Sequence, residues 1–192
     1  MRWDHLFDDL SAQLEHELLS EQADLEQEEE RLRLGRLPLR ERLVALRTSA
    51  EARVRCRLAS GETMTVRLLT VGRDWMAGEA EGAGRAQQAV VPFTAIDALL
   101  LTPDQAALSL EPVAERSELG ARLGIAFLLR DLCRRRAAVT VRTRSGEATG
   151  TIDRVGRDHF DLAEHDPDEP RRARAVTQVR VIPHDQVLIV SL

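Results

Sequence analysis

The residues best suited to chemistry gather in one stretch: Asp158, His159, Asp161, His165, Asp166 and Asp168 fall within a single turn, strand and loop. Imidazoles mixed with carboxylates are the donor set of a divalent-ion site. Their spacing matches no ligand loop, however, and the plainer reading is a solvated acidic turn. Nucleophilic catalysis needs an activated Ser or Cys beside a base that is itself oriented. Cys56 alternates with arginines on the inward side of a strand pattern, Cys133 closes an apolar helix pattern, and His184 has no orienting neighbour. Neither thiol has the Cys-x-x-Cys or Cys/His spacing of a zinc site. Gly82-Ala-Gly84 precedes no helix of the kind that cradles a phosphate. The sequence therefore reads as a non-enzyme that needs no cofactor and no metal.

Charge is the other chemical resource. The chain carries a formal net charge of −5, and all of its basic side chains but the histidines are arginine. Residues 1–30 hold eleven Asp and Glu against one Arg, a net of −10, while the other 26 Arg and 21 acids leave residues 31–192 at +5. Such asymmetry points to partners. Arg53, Arg55 and Arg57 lie on one face of a strand pattern, and Arg134, Arg135 and Arg136 end a helix pattern, so these six are the candidate contacts to nucleic-acid phosphates. The bland alternatives are the wet face of a half-exposed strand and cations placed at the negative end of a helix dipole.

The elements that must position these residues are written twice. Ser60-Gly61-Glu62 recurs as Ser145-Gly146-Glu147 after 85 residues, Val71-Gly-Arg-Asp74 as Val155-Gly-Arg-Asp158 after 84, and Val90-Val91-Pro92 as Val181-Ile182-Pro183 after 91. Order and spacing are kept, the mark of a repeated unit. In each copy a strand (Val54 to Leu58; Val139 to Arg144) leads through a tight glycine turn into a second strand, then a Gly-Arg-Asp turn. A strand pair around a proline corner closes the copy, with Gly78 to Gln88 and Glu164 to Arg174 as loops.

Ahead of the repeat, nothing breaks a helix from Trp3 to Leu34. Trp3, Phe7, Leu10, Leu14 and Leu18 make a thin apolar stripe on an acidic rod, the candidate docking edge for an unknown protein partner or a second copy. Glu21 and Glu28 interrupt the seam a coiled coil would use. A second helix is expected from Leu39 to Thr48. Residues 102–115 read as a connector, and Ser117 as the N-cap of a helix over Glu118 to Arg136, with one stripe at Ile125, Leu128, Leu129 and Leu132 and another at Leu119, Leu123 and Phe127. That helix is expected to be buried from two directions, between the β units. The opening Met-Arg-Trp-Asp-His lacks the apolar core of a signal peptide, no stretch is long enough to span a bilayer, and two isolated thiols suit a reducing compartment, so a cytoplasmic location with no membrane contact is expected.

A helix followed by five short strands resembles the small barrel of the Sm/LSm proteins and the bacterial host-factor RNA chaperone, within the wider SH3-like class. Ser145-Gly146-Glu147, Gly150 and Val155 to Leu162 are similar to the first Sm motif, and Val181 to Leu192 to the second. The full chain also resembles proteins of high-GC actinobacteria that pair an acidic N-terminal helix with this β region, a likeness that carries no activity. The resemblance implies an α+β protein: an acidic helix over 1–36, a first Sm-like unit over 37–102, and a connector, helix and second unit over 103–192, the two small barrels packed as a pseudo-dimer. Where the Sm pattern reads bases with Asn this chain has Asp161, and where relatives have Arg-Gly or Tyr-Lys-His it has Pro183-His184-Asp185 and Pro92-Phe93-Thr94. Aromatic residues for base stacking are few, at 3% with no Tyr. Two function classes follow: a non-catalytic protein-interaction or scaffold module, which is preferred, and a sequence-nonspecific RNA binder regulated by the acidic helix.

Overall fold

The computed structural model describes residues 3–81, 87–113, 118–166 and 176–192, with side chains from residue 16 onward except Glu17, Glu118 and Leu119. The chain falls into two units, Met1–Pro38 and Leu39–Leu192.

The first unit is helix α1, Trp3–Gly35. Its acidic surface is offset locally by i,i+3 pairs, Glu30 with Arg33 at 2.6 Å and Glu28 with Arg31 at 3.8 Å. Such exposed pairs contribute only a few tenths of a kcal/mol each. The helix ends where Gly35 and Pro38 predict, through 3-10-type bonds from the Arg36 and Leu37 N–H groups to the Arg33 and Leu34 carbonyls.

The second unit is α+β and is built on one antiparallel sheet of ten strands. Helix α2 (Leu39–Arg47) precedes β1 (Arg53–Leu58), β2 (Thr63–Val71), β3 (Trp75–Glu81), β4 (Gln87–Pro92) and, after a 3-10 turn at Phe93–Ala95, β5 (Ile96–Leu99). Short helices α3 (Pro103–Leu108) and α4 (Glu118–Arg122) lead to α5 (Ile125–Arg135). Then come β6 (Ala138–Thr143), β7 (Gly146–Val155), β8 (His159–Glu164), β9 (Gln178–Pro183), a 3-10 turn at His184–Gln186 and β10 (Val187–Ser191). The order across the sheet is β5-β1-β2-β3-β4-β10-β6-β7-β8-β9. The end strands β5 and β9 are not paired with each other, so the sheet stays open.

Both halves of that order follow one plan. In each, the last strand lies outside the first, and the remaining four run in sequence. Irregularities recur too: the ladder slips between Leu68 and Thr70 and between Ile152 and Arg154, and again where β1 meets β5 and β6 meets β10. Close strand packing needs glycine in both halves. A Cβ on Gly78 would lie 2.0 Å from the Arg67 carbonyl oxygen, and one on Gly150 2.0 Å from that of Ala163. The hairpin glycines take the positive φ their turns require, 86° at Gly61 and 143° at Gly146.

Two apolar clusters lie against the sheet, and each borrows from the other half. Val54, Cys56 and Leu58, each fully buried as the alternation with arginine predicts, meet Leu43 and Leu46 of α2, together with Leu188 and Ile189 of β10. The second cluster gathers Leu129 and Leu132 of α5 with Val141, Ile152 and Phe160, and includes Trp75 and Val90 from the first half.

Four sequence expectations are corrected. The helix expected over Glu118–Arg136 is two helices broken at Leu123-Gly124. Only the stripe of Ile125, Leu129 and Leu132 is buried on α5, whereas Phe127 is 56% exposed. The loop expected over Gly78–Gln88 is narrower, because β3 runs to Glu81 and β4 starts at Gln87. The connector holds α3, opened by a capping box between Thr102 and Gln105 with Pro103 in the first turn. The proposed Ser117 cap lies outside the described residues.

Candidate functional site

A polar site of hydrogen-bonded groups joins the two halves of the sheet. The turn between β2 and β3 brings Arg73, Asp74 and Trp75 to the break between α4 and α5. Gly124, the N-cap of α5, has no side chain to offer, and Asp74 Oδ1 instead accepts the Ile125 N–H at 2.7 Å. The Arg73 N–H and the Trp75 Nε1–H both donate to the Leu123 carbonyl, at 3.0 and 2.9 Å. The backbone is extended at Gly124, ψ 165°, so the helix breaks there and the Leu123 carbonyl is satisfied by these two donors. A Cβ on Gly124 would sit 2.5 Å from an Arg73 guanidinium nitrogen, the far end of an exposed flexible side chain that can swing aside. Beside the turn β4 pairs with β10, Val90 opposite Val190 and Ala89 opposite Ser191. The Gly-Arg-Asp repeat was legible as a turn; its role as a clasp between halves was not.

Among the described residues, three of the six candidate phosphate-binding arginines are engaged in ion pairs within the chain. Arg53 pairs with Glu81 at 2.8 Å and lies 3.9 Å from Glu51. Arg134 and Arg135 both close on Asp131, the latter at 2.6 Å. The hydrogen bond from Arg134, with the charge of Arg135 beside it, holds the Asp131 carboxyl below its ordinary range. Arg55 and Arg57 are exposed on the outer face of β1. Arg136 takes the left-handed position that ends α5, φ 52°, and lines an open groove with Arg134 and Arg154. The two clusters sit in different halves, one on β1 and the other on the helix over β7, and do not form one basic surface.

The histidine and aspartate cluster divides. His165 turns inward, with Nε2 2.8 Å from Thr151 Oγ1 and Nδ1 2.8 Å from the Asp166 carbonyl. His159 Nδ1 lies 2.8 Å from Asp158 Oδ1, and that hydrogen bond holds the Asp158 carboxyl below its usual range. His184 stacks on Phe160, and burial pulls its imidazole below the ordinary value. Asp158, His159, Pro183, His184 and Asp185 line one open groove. Among the described residues no group of three or more His, Cys, Asp or Glu is placed to hold a metal ion, and Asp168 lies outside them. Cys56 is buried, and burial pushes its thiol up to about 11, which leaves it protonated and unreactive near neutral pH. The Cys133 thiol is directed at the Asp153 carbonyl, 3.4 Å away.

On α1, the side chains of Trp3, Phe7, Leu10 and Leu14 lie outside the described residues; Leu18 is 57% exposed, and Leu25 and Leu32 further along are exposed as well. Among the described residues no helix is long and apolar enough to cross a membrane.

Fold and site thus define an α+β chain whose open ten-stranded sheet is clasped between halves by Asp74 and Trp75. In comparison with known proteins, the chain matches no family model, no curated protein and no solved structure.

Proposed function

We propose that this chain is a non-catalytic protein-interaction module: two Sm-like β units fused into a pseudo-dimer, with the acidic helix docking a partner protein or a second copy. The observation that carries the reading is the state of the arginines. A phosphate-binding surface keeps its guanidinium groups available, because binding is driven by replacing condensed counterions. Here Arg53, Arg134 and Arg135 are matched by Glu81 and Asp131 within the chain. The groove at the position where the Sm resemblance places base recognition is lined by Asp158 and Asp185, a poor surface for RNA. Strand order supports the Sm-like reading, since each half arranges its five strands alike.

A second reading, sequence-nonspecific RNA binding, is favoured by the exposure of Arg55 and Arg57 and by the groove at Arg134, Arg136 and Arg154. One titration separates the two. Labelled single-stranded RNA and duplex DNA are followed by fluorescence anisotropy as the full chain is added, at about 50 mM and about 200 mM salt. The interaction module shows no saturable binding at either. Saturable binding that weakens steeply with salt, and is lost in the Arg55→Ala/Arg57→Ala variant, overturns it in favour of the second reading.

A further inference from the structure

The clasp between the halves has an uncovered counterpart at each end of the sheet. Strand order, the repeated turns and the repeated ladder slips relate Val181 of β9 to Val90 of β4, Asp158 and His159 to Asp74 and Trp75, and Leu99 of β5 to Val190 of β10. Val90 is covered by the following half and only 8% exposed, whereas Val181 is 60% exposed and Val179 55%. At the other end, Leu99 stands opposite Cys56 as Val190 stands opposite Val141. A groove lined by Leu39, Arg42, Ile96 and Leu99 runs along β5. Among the described residues of this unit no strand pairs with the outer edge of β5 or of β9, and such edges, one carrying exposed valines, are the surface on which β-addition proceeds.

The occupant is indicated by how the side chains change between the clasp and the ends. At the clasp Ala89 and Leu188 lie in one apolar cluster, and Ala77 and Leu128 both pack against the other. At the ends Arg180 stands in the place of Ala89 and Asp97 in that of Leu188. Asp161 stands in the place of Ala77 and, with α2 and α5 aligned on their first residues, Arg42 in that of Leu128. Apolar positions at the clasp thus become positions of opposite charge at the ends, with the acid on β5 in one case and on β8 in the other. Within its own chain Arg180 pairs with Glu164 at 2.5 Å, while among the described residues Arg42 donates only to the neutral Ser109 hydroxyl and keeps its charge unmatched there. Each end is matched to the opposite end of the same chain, which a partner of unrelated sequence would not require.

We infer that β9 of one chain adds to β5 of a second copy in the antiparallel register of the clasp, with Val181 opposite the partner's Leu99 and Arg180 opposite the partner's Leu100. Asp161 then faces the partner's Arg42, and Asp158 lies at the first turn of the partner's α2. The inference rests on the interaction-module reading and names its partner as another copy of this chain. Such a contact is heterologous, joining different patches head to tail, so it builds a closed ring or an open chain of subunits.

The full chain is examined by sedimentation velocity over a concentration series, beside the Val181→Glu variant, whose exposed position leaves folding unchanged as checked by circular dichroism. The wild type is expected to grow beyond one chain with concentration, and V181E to weaken that association by about tenfold or more, through loss of a buried valine and burial of a charge. In a Cys56→Val/Cys133→Ser background, which removes the native thiol opposite Leu99, a mixture of Val181→Cys and Leu99→Cys chains is expected to form a mixed disulfide under mild oxidation that neither variant forms with itself, since facing residues of an antiparallel pair lie within disulfide reach. A wild type that stays a single chain throughout, or an assembly that V181E leaves intact and that gives no mixed disulfide, overturns the inference. Neither result touches the interaction-module reading, which falls only to salt-dependent nucleic-acid binding.

Discussion

Replacing Asp74 by alanine tests whether the two halves fold as one sheet. The residue belongs to the first half, yet its carboxylate accepts the Ile125 N–H at 2.7 Å at the start of α5 in the second. Loss of a helix N-cap acceptor costs about 0.5–2 kcal/mol. A negative charge at the positive end of the helix dipole adds about 0.3–1 kcal/mol. The Asp74 side chain is 41% exposed and lies 3.2 Å from the Arg73 guanidinium, so solvent and a neighbouring cation screen the charge. The lower part of both ranges applies, and the expected cost of Asp74→Ala is about 1 kcal/mol. For a body of this size that lowers Tm by about 2–4 °C. Asp74→Asn keeps an acceptor and gives up only the charge, and should cost a few tenths of a kcal/mol. In a Trp3→Phe background Trp75 is the sole tryptophan, and its Nε1–H donates to the Leu123 carbonyl, so its fluorescence reports the clasp directly. Urea unfolding followed by this signal and by far-UV circular dichroism should give one coincident transition, shifted by Asp74→Ala. An unshifted midpoint refutes the cap, and a Trp75 transition that precedes loss of the strand and helix signal refutes cooperative folding across the β4–β10 junction.

Other outcomes follow from the same geometry. Gly150→Ala or Gly78→Ala drives a Cβ onto a backbone carbonyl 2.0 Å away and should cost about 3 kcal/mol or more, whereas Gly35→Ala, with open space around it, should leave Tm nearly unchanged. Burial raises the Cys56 thiol from its ordinary 9.0 to about 11, so the unfolded chain loses this proton before the folded one as pH rises. The associated stability is present below pH 9 and lost toward pH 11, roughly 2–3 kcal/mol at most. Cys56→Val, which copies the counterpart Val141, should flatten that part of the pH–stability curve measured by urea midpoints, and an equally steep decline in the variant would rule out the thiol as its source.

The parts of this molecule legible in the sequence are those whose causes are local. Alternation of Val54, Cys56 and Leu58 with arginines determines a strand with one buried face, because successive side chains point to opposite sides. Gly61 and Gly146 announce their hairpins because few other residues tolerate positive φ. The capping box that opens α3 was also written in the chain, as Thr102-Pro-Asp-Gln105, although the segment reads as a connector by its prolines. Arg53 likewise reads as available charge because Glu81, which faces it, is distant in sequence, whereas Asp131 lies within one helical turn of Arg134 and Arg135.

What the sequence determined by itself was a helix and two copies of a five-strand plan, each with its own inward and outward faces. Only the tertiary structure decided that the copies share one sheet, exchange Trp75 and Val90 for Leu188 and Ile189 between cores, and break the expected long helix at Leu123. The physical reason is that backbone hydrogen bonding carries no side-chain code. Any strand edge offers the same N–H and C=O groups, and any carbonyl accepts the first donor placed within reach. Which edge meets β4, and which donors reach Leu123, depends on contacts between residues about fifty to a hundred positions apart, which no local pattern specifies.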